Sequence, residues 1–305
     1  MDGIRLVAGD SAQVLPALPD GCADVICTDP PYNLAGYSTG NIAPSWRAPF
    51  NNDVAQWDEA PFDPADWADE LCRLLAPTGT IFAFTSYNLL GRWHEVFDPR
   101  FDTFQMVVWH KTNPPPKLRR AGFLNACELV VALWDRGHHW NFGNQRDMHN
   151  FVEAPICMGR ERLRDPFHPT QKPLAVLRRL LGWAAPQGGL VLDPFMGVGS
   201  TGVAAQQAGC RFLGVERDET YVRAAARRLG QADFSVLVDD PPDDPLDDSL
   251  DDLLDDPLED PLDESAVEPS DFLVSFPGFA SRPLDPDEPD EPDESDGSAL
   301  RESVT

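Results

Sequence analysis

Apolar runs of strand length recur along the first 233 residues, and several of them end at an acidic side chain. Segments with helical spacing lie between the runs. Four runs show this pattern: Ile4–Ala8 before Asp10, 23–27 before Asp29, 189–192 before Asp193, and 211–215 before Glu216. The alternation predicts an α/β fold with a layered sheet. In a parallel sheet the four carboxylates would face one crevice at the carboxyl edge, where ligands bind.

The remaining segments extend the same pattern. We expect further strands at residues 80–85, 104–109 and 129–134, and helices at 64–75, 173–185, 200–208 and 219–229. Asp63 is predicted to cap the first of these helices, and Ser11 a short helix after the first strand. Residues 34–58 are rich in glycine, asparagine, proline and tryptophan and predict a long loop, a length that usually indicates a functional role.

Acidic residues are concentrated in the last quarter of the chain. Residues 234–305 contain 25 acidic and 2 basic side chains, whereas residues 1–233 contain 26 acidic and 22 basic ones. Like charges mixed with proline cannot bury enough apolar surface to fold, so we expect a disordered tail. The folded domain is predicted to span residues 1–233. Because that domain is nearly neutral, it can still carry a local basic face for a polyanion.

Cysteine spacing and hydropathy indicate the cellular compartment in which the protein is expected. The six cysteines include no Cys-x-x-Cys pair, and Cys27 lies in an apolar run, so we predict neither a metal site nor disulfides. We recognise no signal peptide and no apolar run of about 18 residues, which favours a cytoplasmic protein without a membrane partner.

A glycine-rich segment from Asp193 to Gly202 joins a predicted strand to a predicted helix. Glycines let the backbone approach a ligand, and the helix N-terminus offers free amide donors. The G-x-G-x-x-G spacing also suits a dinucleotide, with Glu216 placed for ribose hydroxyls. A turn that needs glycine only for packing is a third interpretation. Asp193 would repel a pyrophosphate but attract the amino group of a methionine moiety, which favours a methyl donor.

Asp29, Pro30, Pro31 and Tyr32 follow the second predicted strand. The exocyclic amine of adenine or cytosine is a weak nucleophile, because its lone pair is delocalised into the ring. A carboxylate and a carbonyl held rigid by prolines can accept both amine hydrogens and localise that lone pair, and Asp29 and the Pro30 carbonyl suit these roles. A base in a duplex must be flipped out to reach such a site, and Tyr32 offers a face for stacking.

Three motifs resemble the amino-methylating DNA methyltransferases of bacteria and phages: TDPPYNL at 28–34, HPTQKP at 168–173 and DPFMGVGSTGVAA at 193–205. Their order resembles the permuted beta-class arrangement, in which the catalytic motif comes first and the cofactor loop last. The resemblance covers residues 4–229. It implies a circularly permuted, Rossmann-like methyltransferase fold with a mixed, mostly parallel sheet, and S-adenosylmethionine as the donor.

The resemblance also implies roles for individual residues. It assigns catalysis to Asp29, Pro30, Pro31 and Tyr32. It assigns donor binding to Asp10, Asp193, Phe195, Gly197, Gly199, Ser200, Thr201 and Glu216, with Asp10 on the donor's adenine. Lys172 is expected near the donor's carboxylate, with a surface lysine that caps a helix as the alternative. The aspartate before Pro-Pro-Tyr resembles adenine-N6 enzymes more than cytosine-N4 enzymes.

Double-stranded DNA is the expected partner of a site-specific enzyme of this kind. A region of about 111–167 is short for target recognition, which favours a short recognition sequence, and we expect its basic side chains to form a rim for phosphates. These are Lys111, Lys117, Arg119, Arg120, Arg136, Arg146, Arg160, Arg162 and Arg164.

Several alternatives stay open at this point. The chain could be a catalytically idle DNA-binding decoy, or a methyltransferase that acts on RNA or on a protein amide. The intact Asp29 and glycine loop speak against a decoy, and the motif order with HPTQKP favours DNA. Two copies of the chain could also form a homodimer. The acidic tail could solubilise the protein, contact its own DNA groove, or bind another protein.

Overall fold

The computed structural model describes residues 3–32, 62–116, 123–231 and 235–236. Within these ranges one sheet contains β1 (Ile4–Ala8), β2 (Ala23–Thr28), β3 (Leu75–Thr85), β4 (Thr103–Lys111), β5 (Cys127–Trp134), β6 (Phe151–Ala154), β7 (Leu190–Asp193), β8 (Arg211–Glu216) and β9 (Ser235–Val236). The α-helices are α1 (Ser11–Val14), α2 (Ala65–Leu74), α3 (Leu90–Phe97), α4 (Leu174–Ala184), α5 (Ser200–Gln207) and α6 (Glu219–Leu229). Short 3-10 helices span Leu15–Ala17, Asp98–Arg100 and Gln145–Asp147.

The sheet is mixed and mostly parallel, as predicted. Its strand order is β6-β4-β5-β3-β2-β7-β8-β1-β9. Only β5 runs antiparallel to its neighbours, which are β3 and β4. The four central strands β2, β7, β8 and β1 are parallel and adjacent, so their carboxyl ends lie side by side. Strands that are distant in sequence, β2 and β7, therefore meet at the middle of the sheet.

Strand β3 shows how the apolar runs are buried on both faces of the sheet. Phe82 and Phe84 belong to the core on the side of α4, α5 and α6. Ile81 and Ala83 belong to the core on the side of α1, α2 and α3. A strand that is covered on both faces needs no alternation of polar and apolar residues. This explains why these runs are continuously apolar in sequence.

The first short helix is capped differently from the prediction. Asp10 rather than Ser11 is its N-cap, and the Asp10 carboxylate accepts a hydrogen bond of 2.9 Å from the Ala12 backbone. The buried Ser11 hydroxyl instead donates to the carbonyl of Pro194, which ties α1 to the glycine loop. Asp63 does accept a hydrogen bond from the backbone of Ala65 at the start of α2.

Helix α3 and the strands β6 and β9 were not predicted. Helix α3 begins at Leu90 without a side-chain cap, so the sequence carries no start signal there. Strand β6 has only four residues and lies in the arginine-rich stretch. The predicted loop 34–58 lies outside the described residues, as does the acidic tail apart from β9, which pairs with β1 just after the predicted boundary at residue 233. None of the described helices is long and apolar enough to cross a membrane.

Two helical glycines provide a test of the packing. A methyl group on Gly202 would lie 2.6 Å from the ring of buried Phe212, whereas nothing lies within 4 Å of the same position on Gly182. We expect Gly182→Ala to raise the free energy of unfolding by about 0.5–1 kcal/mol through helix propensity. Gly202→Ala should lower it by about 1–2 kcal/mol through overpacking. Urea unfolding measures both, and a Gly202→Ala variant as stable as Gly182→Ala would contradict the packing.

Candidate active site

Four acidic residues meet at the carboxyl edge of the central strands. Asp193 and Glu216 are the last residues of β7 and β8, Asp29 directly follows β2, and Asp10 follows β1 after one glycine. The strands are neighbours in the sheet, so the prediction that these side chains share one edge is confirmed. Asp29 and Asp193 lie on adjacent strands, and the charge of Asp29 contributes to raising the pKa of Asp193.

The Asp29 carboxylate is held at both oxygens. The Tyr32 hydroxyl donates a hydrogen bond of 2.5 Å to Oδ1, and the Lys172 ammonium donates one of 2.6 Å to Oδ2. The Lys172 ammonium also lies 5.1 Å from the centre of the buried Tyr32 ring. Burial raises the pKa of Asp29 above its ordinary value, although the Lys172 ammonium opposes that change. The motif is therefore a rigid, oriented carboxylate rather than a solvated one.

A second ion pair extends this arrangement away from Asp29. Glu128 Oε2 lies 3.4 Å from Lys172 Nζ, and Glu128 Oε1 lies 2.7 Å from Lys111 Nζ. Both lysines are buried. Burial works against the charged forms, but the two carboxylates raise the pKa of Lys172, and the two ammonium groups lower the pKa of Glu128. We call Asp29, Lys172, Glu128 and Lys111 the charge cluster.

The charge cluster changes the interpretation of both lysines. Lys111 was predicted on the DNA-contacting rim, and that prediction is wrong because its ammonium is buried against Glu128. The alternative of a surface lysine at position 172 is also wrong, since Lys172 is 6% exposed. Its expected place near the donor's carboxylate stays a prediction. Sequence reasoning missed Glu128, and the available signal was an acidic residue beside the otherwise apolar run 129–134.

The HPTQKP segment is braced by its own side chains. The Gln171 amide donates a hydrogen bond to the carbonyl of Glu161 and accepts one from the backbone of Leu163, both at 2.9 Å. The Glu161 carboxylate in turn accepts a hydrogen bond of 2.6 Å from the backbone of Leu174, the first residue of α4. These bonds fix the backbone on both sides of Lys172 and so hold its ammonium over Asp29.

The predicted basic rim is only partly exposed. Arg162 donates to the carbonyls of His168 and Pro169, so it supports the HPTQKP segment and does not belong to a free rim. The other described arginines of the set are exposed: Arg136, Arg146, Arg160 and Arg164. Three members lie outside the described residues: Lys117, Arg119 and Arg120.

The glycine loop follows β7 and leads into α5. Gly197 and Gly199 have positive φ angles of 51° and 74°, which favour glycine. A Cβ on Gly197 would lie 2.9 Å from the His168 ring, and one on Gly199 would lie 2.8 Å from Ala225. Local packing thus accounts for the glycine pattern, and the pattern alone does not identify the ligand.

The loop is also supported from behind by a residue that sequence reasoning missed. Arg228 on α6 donates hydrogen bonds of 2.6 Å to the Val198 carbonyl and 3.1 Å to the Ser200 hydroxyl. Burial lowers the pKa of the Arg228 guanidinium. Ser200 and Thr201, both predicted to bind the donor, are buried in the first turn of α5.

Asp193 carries the chemistry that distinguishes possible ligands at this loop. It is buried and accepts a hydrogen bond of 3.1 Å from the backbone of Phe195. Burial raises the pKa of Asp193 to about 7, and a hydrogen bond from Thr201 opposes the shift. Among the described residues no cationic side chain forms an ion pair with Asp193. A buried carboxylate without a cation fits the positively charged methionine moiety of S-adenosylmethionine.

The other predicted donor-binding residues lie around the same edge. Glu216 accepts hydrogen bonds from the backbone of Gly197 at 3.0 Å and of Asp218 at 2.9 Å, and burial raises its pKa. Phe195 packs edge-on against Trp67, with 4.9 Å between ring centres. Asp10 is exposed, and its carboxylate caps α1. Its contact with the donor's adenine stays a prediction.

A comparison with known protein families gives a match over most of the chain. Residues 23–227 match the N6_N4_Mtase family, described as DNA methylase. The chain belongs to this family of DNA methylases. Family membership confirms the predicted resemblance, the methyltransferase fold and the S-adenosylmethionine donor.

Individual relatives extend the comparison. The chain is 29% identical over 246 residues to the Type II methyltransferase M.HinfI of Haemophilus influenzae, with 73% of this chain and 67% of the relative covered. It is 28% identical over 243 residues to the Type II methyltransferase M2.DpnII of Streptococcus pneumoniae, with 73% and 88% covered. The solved structure of the PvuII DNA methyltransferase, described as cytosine-N4-specific, is similar with a TM-score of 0.55 at 17% identity, covering 76% of this chain and 88% of that one.

Replacing Asp193 by asparagine should stabilise the DNA methylase at high pH. The Asp193 carboxyl has a pKa of about 7 in the folded protein, against roughly 3.9 in an unfolded chain. The folded state therefore binds more protons between these values, and the contribution of Asp193 to stability falls as the pH rises. Asparagine loses no proton, so the gain in the free energy of unfolding from Asp193→Asn should be larger at pH 8 than at pH 5 by on the order of 2–3 kcal/mol.

Denaturant unfolding at the two pH values measures this difference. Asp69→Asn is the matched control, because the Asp69 side chain is almost fully exposed and its replacement should change the free energy of unfolding little. An Asp193→Asn effect of the same size at pH 5 and pH 8 would show that Asp193 does not have a raised pKa.

Proposed function

We propose that this DNA methylase transfers the methyl group of S-adenosylmethionine to the N6 amine of adenine at a specific sequence in duplex DNA. The observation that carries the proposal is the pairing of β2 with β7, which sets the Asp29 carboxylate beside the Asp193 carboxylate at one edge of the sheet. Asp29 suits the acceptor amine, and Asp193 suits the cationic donor. One edge can therefore hold both reactants next to each other.

The residues around the glycine loop bind the methyl donor. Asp193 would hold the positively charged methionine moiety, Glu216 the ribose hydroxyls, and Phe195 an apolar face of the ligand. When bound, S-adenosylmethionine supplies an electrophilic methyl group. The pKa of about 7 at Asp193 means that the carboxylate becomes fully charged only above neutral pH or when a cation binds next to it.

Asp29 and Pro30 activate the exocyclic amine of the target base. The Asp29 carboxylate accepts one amine hydrogen bond and the Pro30 carbonyl accepts the other, so the nitrogen lone pair is drawn out of the ring and is free to react. Asp29 is also placed to take the proton that the nitrogen loses on methylation. The Tyr32 hydroxyl fixes the carboxylate through its hydrogen bond to Oδ1, and the Tyr32 ring is the proposed stacking surface for the flipped base.

The choice of adenine rests on the first residue of the motif. Aspartate at position 29 is the residue that resembles adenine-N6 enzymes. The fold does not distinguish the two bases, since the PvuII enzyme with its cytosine-N4 specificity is similar in fold. Cytosine N4 is therefore the second candidate, because its exocyclic amine presents the same two hydrogens to Asp29 and Pro30.

The chain is proposed to contain a catalytic domain with a DNA-contacting region, followed by an acidic tail. The catalytic domain spans residues 1–233, and the region of about 111–167 contributes contacts to the DNA backbone. Exposed Arg136, Arg146, Arg160 and Arg164 supply positive charge for phosphates. The acidic segment that follows β9, up to residue 305, is proposed to be a separate tail.

Purified protein and labelled S-adenosylmethionine should transfer label to duplex DNA, and not to RNA or protein offered side by side. Mass analysis of the digested DNA should identify N6-methyladenine. N4-methylcytosine would reject the proposed base while keeping the amine chemistry. Transfer only to RNA or protein would reject DNA as the substrate, and DNA binding without any transfer would indicate a decoy.

The same assay should lose its signal when the acceptor carboxylate is removed. Asp29→Ala is expected to lower kcat by at least about 100-fold, because the amine then lacks its charged acceptor. Donor affinity should stay within about threefold, since Asp193 is untouched. Asp69→Asn, an exposed aspartate on α2, is the control and should keep full activity.

A further inference from the structure

We propose that Glu128 is a positioning residue that receives the Lys172 ammonium when the target amine takes its place on Asp29. The inference rests on the proposed function, because it concerns how Asp29 becomes available to an amine. It adds a step that the motif alone does not supply. Glu128 touches neither the amine nor the donor in this account and acts through Lys172.

The need for such a step arises at the Asp29 carboxylate. Its Oδ1 accepts from Tyr32 and its Oδ2 accepts from Lys172, at 2.5 Å and 2.6 Å. An incoming amine therefore meets a carboxylate whose two oxygens each already accept one hydrogen bond, one of them from a buried ammonium. Displacing Lys172 without giving it another partner would leave a buried charge unpaired, which is strongly unfavourable.

Glu128 offers that partner at a short distance. Its Oε2 lies 3.4 Å from Lys172 Nζ, which is 0.8 Å farther than the Asp29 oxygen at 2.6 Å. The same Oε2 is buried and makes no hydrogen bond with any residue that the structure describes. Among the described residues the ammonium at 3.4 Å is the cation paired with this oxygen, so a charged acceptor without a shorter hydrogen bond faces Lys172. If the ammonium approached Oε2 by 0.8 Å, this contact would have the length that the contact with Asp29 has now.

The sheet holds Glu128 still while Lys172 moves. Glu128 is on β5 opposite Trp109 of β4, and Lys111 follows two residues later on β4. The Lys111 ammonium fixes the other Glu128 oxygen at 2.7 Å. Lys172 reaches the cluster on a flexible four-carbon stem, so it is the member that can change partners. Lys111 and Glu128 therefore form a fixed pair, and Lys172 moves between two fixed carboxylates.

Charge balance allows this exchange. The cluster contains two ammonium groups and two carboxylates, so its net charge stays the same whichever carboxylate Lys172 contacts. The groups that act electrostatically on Asp29 are Lys172 and Glu128 together with the hydrogen bond from Tyr32, and Asp193 lies on the adjacent strand. The negative charge of Glu128 raises the pKa of Asp29, so its removal should lower that pKa.

The test replaces Glu128 by glutamine in the full-length protein and in a Lys172→Met background. In the wild-type background we expect kcat for DNA methylation to fall roughly 10- to 100-fold, because Lys172 stays on Asp29. Donor affinity should stay within about threefold. The acidic limb of the kcat profile should move to lower pH. Glu128→Asp should recover part of the loss, and exposed Glu153→Gln on β6 is the matched control.

The Lys172→Met background separates positioning from a structural role. Without the ammonium, Asp29 needs no release, so Glu128→Gln should cost less than about threefold there. Equal losses in both backgrounds would overturn the proposal, as would an unchanged kcat or a loss confined to donor affinity. If Glu128→Gln is too unstable to assay, the double variant Glu128→Gln/Lys111→Met keeps the charge balance and should show the same loss of kcat.

Failure of the proposed function and failure of the proposed role of Glu128 give different results. A wild-type protein that methylates no DNA would reject the proposed function and the exchange with it. A wild-type protein that methylates DNA at the same rate as Glu128→Gln would reject only the role of Glu128.

Discussion

The ion pair between Lys172 and Asp29 determines how the active site is built. Lys172 is buried and Asp29 is only partly exposed, and a charge in such surroundings is costly unless an opposite charge lies close to it. The pair joins residues 143 positions apart in the chain. Its geometry therefore requires that β2, the β4 and β5 pair and the HPTQKP segment all fold into place. Breaking one partner alone would leave an uncompensated charge in the core.

Two neighbouring carboxylates at this edge have different surroundings. Asp29 has a cation supplied by the protein, whereas Asp193 forms no ion pair with a described side chain. Burial raises the pKa of both groups, but only Asp29 has a lysine that opposes the change. Placing different environments around two adjacent acids is a general way to give them different roles. Here one acid suits an amine, and the other suits a cationic donor.

The sequence predicted the parts of the fold that local patterns determine. Apolar runs located the central strands, and the residues that follow them placed Asp29, Asp193 and Glu216 at one edge. These predictions were correct because a short stretch of sequence indicates how long a strand is, whether both its faces are buried, and which polar residue follows it. The short strand β6 and the uncapped helix α3 lacked such local signals.

The charge cluster could not be predicted in the same way. Whether Lys111 meets phosphate or a buried carboxylate depends on the register between β4 and β5, which brings Glu128 to the lysine's side. Whether Lys172 meets the donor or Asp29 depends on hydrogen bonds within the HPTQKP segment. Both are contacts between distant parts of the chain, so residue type and spacing left them open.

A crystal structure of the protein with duplex DNA and S-adenosylhomocysteine would test the central claim most directly. We expect a flipped adenine whose N6 lies within hydrogen-bonding distance of the Asp29 carboxylate and the Pro30 carbonyl, with the Lys172 ammonium closer to Glu128 than to Asp29. A flipped base whose amine contacts neither Asp29 nor Pro30 would contradict the account.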